Sequence, residues 1–145
     1  MSEENVEIVQ SMLGPFGGVD VSAVDWDAEV IREILEQSYS PDVVLRTLAS
    51  GVGSGPSAVY RGWDGLVQYL KEWLEPFSEY HLEPLDYVEA GDCVLVPSRQ
   101  WGVGSSSGAR VEIELTLVYE LRDGKIVRLD QYDTVEDARE AVELR

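Results

Sequence analysis

Val111-Glu-Ile-Glu-Leu-Thr-Leu-Val-Tyr-Glu-Leu-Arg-Asp-Gly-Lys-Ile-Val-Arg-Leu-Asp-Gln-Tyr132 is the stretch whose reading decides the fold. Apolar side chains stand at Val111, Ile113, Leu115, Leu117, Tyr119 and Leu121, while Glu112, Glu114, Thr116 and Glu120 fill the alternate positions. Period-two alternation is the mark of a strand with one buried face, and only Val118 breaks it. Asp123-Gly124 then turns the chain into a second run, Lys125 to Tyr132, so the segment reads as a β-hairpin.

The length of the loop sets which residues share a face. A two-residue Asp-Gly turn pairs Tyr119 with Arg128 and Val118 with Leu129, which splits the apolar sets between opposite faces. A three-residue loop, a type I turn closed by Gly124 in the left-handed region, pairs Tyr119 with Val127, Leu117 with Leu129 and Leu115 with Gln131. The second register gives one continuous apolar face with Gln131 as its single polar member, and it is the one adopted. Glu114, Thr116, Val118, Glu120, Ile126, Arg128, Asp130 and Tyr132 then fall on the other face, a mixture suited to solvent or to a subunit contact.

Composition narrows the class. A chain of 145 residues reads as one domain, residues 1–145, able to bury roughly 70% of the surface its unfolded form exposes without a disulfide or metal. Its 28 acidic against 11 basic residues give a formal charge of -17, which repels phosphate backbones and anionic membranes, so neither nucleic acid nor membrane is an expected partner. The one cysteine, Cys93, lies in an apolar run and reads as a buried, inert thiol. Met1-Ser-Glu-Glu-Asn5 has neither the charge nor the apolar run of a leader, and no window reaches the ~18 apolar residues of a span; a cytoplasmic location is expected.

Along the chain, Ser2 can cap a first helix with Val6, Val9 and Leu13 on its buried stripe and Met12 beside them, stopped by Gly14-Pro15. Ser22 or Asp25 is expected to cap a second, carrying Ala28, Ile31 and Leu35, with Val30 and Ile34 alongside. Val43 to Leu48 reads as extended, and Gly51 to Pro56 as a flexible loop of the kind that borders sites. That loop lacks the Lys-Ser/Thr ending of a phosphate cradle. A third helix opens at Asp64-Gly65, with Leu66, Leu70, Trp73 and Phe77 at helical spacing; this stripe reads as a roof over the sheet. Tyr80 to Val88 and Cys93 to Val103 read as strands, with the lone His81 pointing to solvent beside Glu83. Thr134, followed by Glu136 and Asp137, can cap a last helix bearing Ala138, Ala141 and Val142.

These elements make an α+β domain whose helices lie on one face of a sheet. Long strands with glycines at 102, 104 and 108 can curve around the helices and leave an apolar cone open at its mouth.

Several short runs are similar to a known family: Met1-Ser-Glu-Glu-Asn-Val-Glu-Ile-Val9, Pro41-Asp42, Tyr60-Arg-Gly-Trp-Asp-Gly65, Ala90-Gly-Asp92 and Leu121-Arg-Asp-Gly-Lys-Ile-Val127 leading to Asp133. In order and spacing the chain resembles the nuclear transport factor 2-like superfamily, within it the SnoaL-like group. The resemblance implies a cone-shaped, strongly curved antiparallel sheet closed by N-terminal helices, commonly dimeric. It hosts polyketide cyclases, ketosteroid isomerases, epoxide hydrolases, dehydratases and binding modules without chemistry, so fold does not settle function. In the cyclase-like and epoxide-hydrolase-like patterns a pocket aspartate on the last strand moves the proton, and that position falls on Gln131 here. An amide has no proton-transfer capacity near neutral pH. The isomerases' first-helix tyrosine is also missing, Phe16 being the nearest aromatic.

Two functions stay open. One is a pocket protein that binds a small, largely apolar molecule through Gln131, Tyr119, Gln100 and Ser98, with Leu117 and Leu129 as apolar wall. The other is an isomerase, cyclase or hydratase that uses as acid or base Asp133, Asp130 from the opposite face, or another carboxylate not singled out by the pattern. With one histidine and no clustered ligand spacing, neither a metal nor an organic cofactor is expected. A homodimer through the outer sheet face, at Val118, Ile126, Tyr132 and Trp101, is expected.

Overall fold

The computed structural model describes residues 2–47 and 58–144; Leu48 and the Gly51 to Pro56 loop lie outside the described residues. Four α-helices, α1 (Ser2–Leu13), α2 (Glu29–Ser38), α3 (Gly62–Leu74) and α4 (Val135–Glu143), accompany seven strands among them. The strands are β1 (Tyr39–Arg46), β2 (Val59–Arg61), β3 (Phe77–Pro84), β4 (Val88–Ala90), β5 (Cys93–Gly104), β6 (Arg110–Arg122) and β7 (Lys125–Tyr132). They form one sheet in the order β2-β1-β7-β6-β5-β3, with β4 also paired to β5. The sheet is mixed: β1 runs parallel to β7, and every other pair is antiparallel. No helix of the described residues is long and apolar enough to cross a membrane.

The central hairpin corrects the expected register. Arg122 pairs with Lys125 and Leu121 with Ile126, so the turn is the two-residue one. Asp123 (φ 52°) and Gly124 (φ 78°) both lie in the left-handed region, as a type I′ turn requires. The register then shifts, with Glu120 opposite Arg128, leaving Val127 as the extra residue of a β-bulge. Beyond the bulge Tyr119 faces Leu129 and Leu117 faces Gln131, two residues away from the expected pairing. Because the offset is even, Leu129 and Gln131 keep the predicted face, whereas Ile126 moves from the outer face into the core at 0% exposure.

The first connection also differs. Asp20 accepts from the backbone N–H (3.0 Å) and hydroxyl (2.6 Å) of Ser22, and Asp25 accepts from the backbone N–H of Asp27 at 3.0 Å. Side-chain turns of this kind compete with a helix, so α2 starts only at Glu29. Val30, expected beside its buried stripe, is exposed. Phe77 belongs to β3 and not to the roof helix. Its ring and that of Tyr80 lie where a Cβ at Gly102 would come within 2.7 Å of both, and the glycine lets β3 close against β5.

One large core fills the inner face of the sheet under α1, α2 and α3, with Val9, Leu35, Val43, Leu45, Leu66, Val94, Val96 and Leu121 among its buried members. A smaller one lies on the outer face, where Ala138 of α4 packs with Cys93, Leu95 and Val118. The helix starts at a capped Thr134, whose hydroxyl accepts from the backbone N–H of Asp137 at 3.1 Å. This contact explains why Val118 breaks the alternation of β6: both of its neighbouring faces are covered. It also takes Val118 and Ile126 out of the patch expected to be exposed on the outer face, since Val118 is buried under α4 with Tyr132 packed beside it, and Ile126 lies in the inner core.

Candidate functional site

The inner face of the sheet and the roof enclose a cavity of about 110 Å³. Helix α3 contributes Leu66, Tyr69, Leu70, Trp73 and Leu74, the positions of its apolar stripe, and α1 contributes Met12 and Leu13. From the connection between α1 and α2 come Phe16, Val21 and Trp26, with the rings of Phe16 and Trp26 centred 5.6 Å apart. The sheet supplies Tyr39, Tyr80, Leu82, Gln100, Leu117, Tyr119 and Leu129. None of the described lining residues carries a carboxylate, an imidazole or a cationic group.

Polarity in this wall is confined to phenols, amides and indoles, and it is ordered. The Tyr80 hydroxyl donates to Gln100 Oε1 (2.6 Å), Gln100 Nε2 donates to Ser98 Oγ (3.1 Å), and Ser98 Oγ donates to the Leu115 carbonyl (2.9 Å). This relay ends on the backbone, so each buried polar atom of β5 has its partner. A second pair sits across the cone, where Gln131 Nε2 donates to the Tyr69 hydroxyl at 2.5 Å. Tyr39 donates to Met12 Sδ at 3.5 Å, and its backbone carbonyl accepts from the Trp63 indole at 2.9 Å. Desolvation pushes the Tyr80 hydroxyl up to about 12 and holds those of Tyr39, Tyr69 and Tyr119 far above the ordinary value of 10.0. All four are neutral donors at physiological pH.

Charge stays at the rim. Asp20 accepts from the backbone N–H of Tyr80 at 2.9 Å, fastening the connection between α1 and α2 to β3. Burial opposes its charge, but the bonds from Ser22 and Tyr80 prevail and hold its carboxyl below the usual range. Asp27 pairs with Lys71 at 2.6 Å and Arg32 with Asp64 at 2.8 Å, joining the same connection and α2 to the outside of α3.

Of the residues singled out from the sequence, Tyr119, Gln100, Leu117 and Leu129 line the cavity; Gln131 and Ser98 stand behind it, holding Tyr69 and Gln100. Asp130 is on the outer face, buried and paired with Arg128 at 2.8 Å, and Asp133 is exposed beyond the end of β7. Neither is among the lining residues. His81 bonds to Glu79 at 2.8 Å, not to Glu83, and stacks on Trp101 with ring centroids 4.2 Å apart. Sequence reasoning passed over Trp26, Tyr39 and Tyr69. Tyr69 carried a usable signal, since it follows Leu66 by three positions and precedes Trp73 by four on the roof helix. Trp26 carried none, because its segment has no regular period.

Comparison with known proteins agrees with this architecture. The SnoaL-like domain family matches residues 14–129. TerC, solved with polyporic acid, is 20% identical and superposes with a TM-score of 0.67 over 97% of this chain and 98% of its own. A SnoaL-like, polyketide-cyclase-type protein from Jannaschia sp. CCS1 is 16% identical, with a TM-score of 0.69 over 99% of this chain and 94% of that one. Structures with ketosteroid isomerase-like and NTF2-like folds superpose comparably. Among curated proteins, the BTB/POZ domain-containing protein FBL11 of Arabidopsis thaliana is 25% identical over 115 residues, 79% of this chain, which spans 12% of that relative's length. With four helices against a strongly curved, unclosed sheet and the family match over most of its length, the chain belongs to the SnoaL-like domain family, on the nuclear transport factor 2-like fold.

Proposed function

We propose that the chain binds a small, neutral, largely apolar molecule in the cone and does not use the pocket-aspartate chemistry of its enzymatic relatives. The observation that carries this reading is the wall itself: Leu, Met, Phe, Val and Trp side chains with neutral phenols and one amide, and among the described lining residues no group that titrates near pH 7. Gln131, at the position the cyclase-like pattern gives to aspartate, orients Tyr69 and has no acid or base capacity near neutral pH. A charged ligand would be stripped of water here without a counter-charge, whereas an apolar one gains by burial. Native mass spectrometry of the purified chain tests the reading: a co-purified neutral molecule of low mass supports it. Turnover of an apolar carbonyl compound that Asp133→Asn abolishes would replace it with the isomerase, cyclase or hydratase reading. The proposal includes a second copy of the chain against the outer face not covered by α4, where Trp101 lies half-buried between His81 and Arg110. Light scattering that shows a monomer at tens of micromolar protein removes that part.

A further inference from the structure

Trp26 stands apart from the other polar groups of the wall. It is 92% buried (8% exposed), it lines the cavity, and its indole nitrogen is enclosed with no hydrogen-bond partner among the described residues. Another indole of the helix layer, Trp63, has the backbone carbonyl of Tyr39 at 2.9 Å, and the amide of Gln100 is used on both its oxygen and its nitrogen. An indole N–H can only donate, and native interiors leave few such donors without an acceptor. The ring packs against Phe16, with centroids 5.6 Å apart, and the segment that carries it is tied to its neighbours. Asp20 is bonded to the Tyr80 backbone on one side of it in sequence, and Asp27 is paired with Lys71 on the other. Trp26 therefore has little freedom to turn its nitrogen out to water, although the segment around it would allow a polar residue to sit at the surface.

Tyr69 has a related imbalance. Its oxygen already accepts from Gln131, so the hydrogen of its own hydroxyl remains to be donated, and none of the described residues accepts it. Two donors thus line one cavity whose described wall offers no carboxylate to receive them.

We infer that Trp26 is a ligand-binding residue, and that the cone takes a compact neutral molecule bearing a hydrogen-bond acceptor, such as a carbonyl oxygen on a single ring, which receives the indole N–H. The inference rests on the reading of the cone as a small-molecule site and specifies the ligand. Size follows from the volume: about 110 Å³ is below the ~150 Å³ that admits a benzene ring in a dry cavity, so one small ring with modest breathing of the wall is the upper limit. Chemistry follows from the donor excess, because a hydrocarbon of that size leaves both donors unmet whereas a ketone meets at least one.

The test compares two probes of nearly equal shape, cyclohexanone and methylcyclohexane, on the wild-type chain and on Trp26→Phe, which keeps an aromatic ring and removes the N–H. Binding is followed by ligand-observed NMR, and folding of the variant by its near-UV circular dichroism and thermal midpoint. The wild type is expected to prefer the ketone by about tenfold or more once the difference in water solubility is subtracted, the size expected of one buried hydrogen bond. Trp26→Phe is expected to lose that preference, bind methylcyclohexane within about twofold of wild type, and melt no lower. Equal loss of both probes from a folded variant overturns the role of the N–H, since the ring alone would then matter. An unchanged ketone preference overturns it as well and assigns the acceptor to Tyr69 alone. If neither probe binds the wild type, the small-molecule reading of the cone fails together with the inference. Should Trp26→Phe not fold, Trp26→Leu supplies the second variant: a folded Trp26→Leu that binds methylcyclohexane but has lost the ketone preference upholds the inference, and one that keeps the preference overturns it.

Discussion

Asp130 and Gln131 are neighbours on β7, buried to nearly the same extent at 3% and 5% exposure, yet they satisfy burial by opposite means. Asp130 faces outward and pairs with Arg128 at 2.8 Å; Gln131 faces the cone, carries no charge and donates to Tyr69. The contrast extends along the sheet. Its outer face bears Glu112, Glu114, Glu120 and Arg128 around the patch that α4 covers, and the described residues that line the cavity on its inner face are only apolar or neutral polar. For a chain of charge -17, this segregation is the feature on which the proposed binding of neutral molecules depends. Burying one carboxylate on the inner face would raise its pKa and supply an acid or base. The chain places its buried carboxylate one residue away, on the other side of the strand.

The segregation is most open to attack through the phenols. Tyr39, Tyr80 and Tyr119 are at most 4% exposed, and burial raises the pKa of each, that of Tyr80 to about 12. In the unfolded chain each ionises near its ordinary value of 10.0. Above that pH the unfolded state sheds protons that the folded state retains, so stability, complete below pH 10, falls as pH rises toward 12. Each phenol contributes a slope approaching ~1.4 kcal/mol per pH unit, roughly 4 kcal/mol per unit for the three together. Urea unfolding between pH 9 and 11.5 should show this steep alkaline loss, and a flat profile would mean that the inner face is wet.

The next test concerns the bulge that decides which side chains face the cone. Ile126→Ala should cost about 2 to 5 kcal/mol, as expected for a fully buried aliphatic side chain, and Val127→Ala less than about 1 kcal/mol. The three-residue loop read from the sequence exchanges these two values. A smaller effect is expected at the turn, where Gly124→Val should cost about 1 to 3 kcal/mol and Gly124→Asn less, because asparagine tolerates the left-handed region that valine does not. Chemical denaturation of the four variants in parallel ranks them directly.

The hairpin also marks what the sequence could disclose. Alternation in β6 placed Leu115, Leu117 and Tyr119 on one face whatever the loop, and parity carried Leu129 and Gln131 to the same face through an offset of two. The bulge itself was hidden, because a sequence preference for type I′ at Asp-Gly and a demand for apolar continuity point to different registers, and one extra residue at Val127 reconciles them. Val118, the one irregularity in the pattern, was legible only as a break until α4 appeared above it. The polar wall of the cone was half legible: Gln100, Ser98 and Gln131 lie on strands whose period fixes their face. Trp26 and Tyr39 reach the cavity from an aperiodic connection and from the start of a strand bent around Pro41, where no period operates.

Gln131 is where the comparison becomes sharpest and the expected effect on stability smallest. Replacing it by leucine removes an amide that is expensive to bury and a hydrogen bond worth about 1 kcal/mol net, two changes of opposite sign. Tyr69 keeps its hydroxyl and can still donate, so Gln131→Leu should unfold within about 1 kcal/mol of wild type. Its consequence should be seen in binding, because the Tyr69 hydroxyl loses the donor that fixes its rotation; affinity for an acceptor-bearing probe should fall about fivefold, the equivalent of ~1 kcal/mol. Gln131→Glu, nearly the same size, places on the inner face the charge that the chain otherwise keeps outside. With no cation in the described wall to pair with it, it should destabilise the fold by several-fold more than the leucine variant and recover stability as the pH falls and the carboxyl protonates. If the glutamate variant is instead as stable as wild type at pH 8 and remains charged, the inner face tolerates ions, and the distinction between Asp130 and Gln131 has no bearing on what the cone accepts.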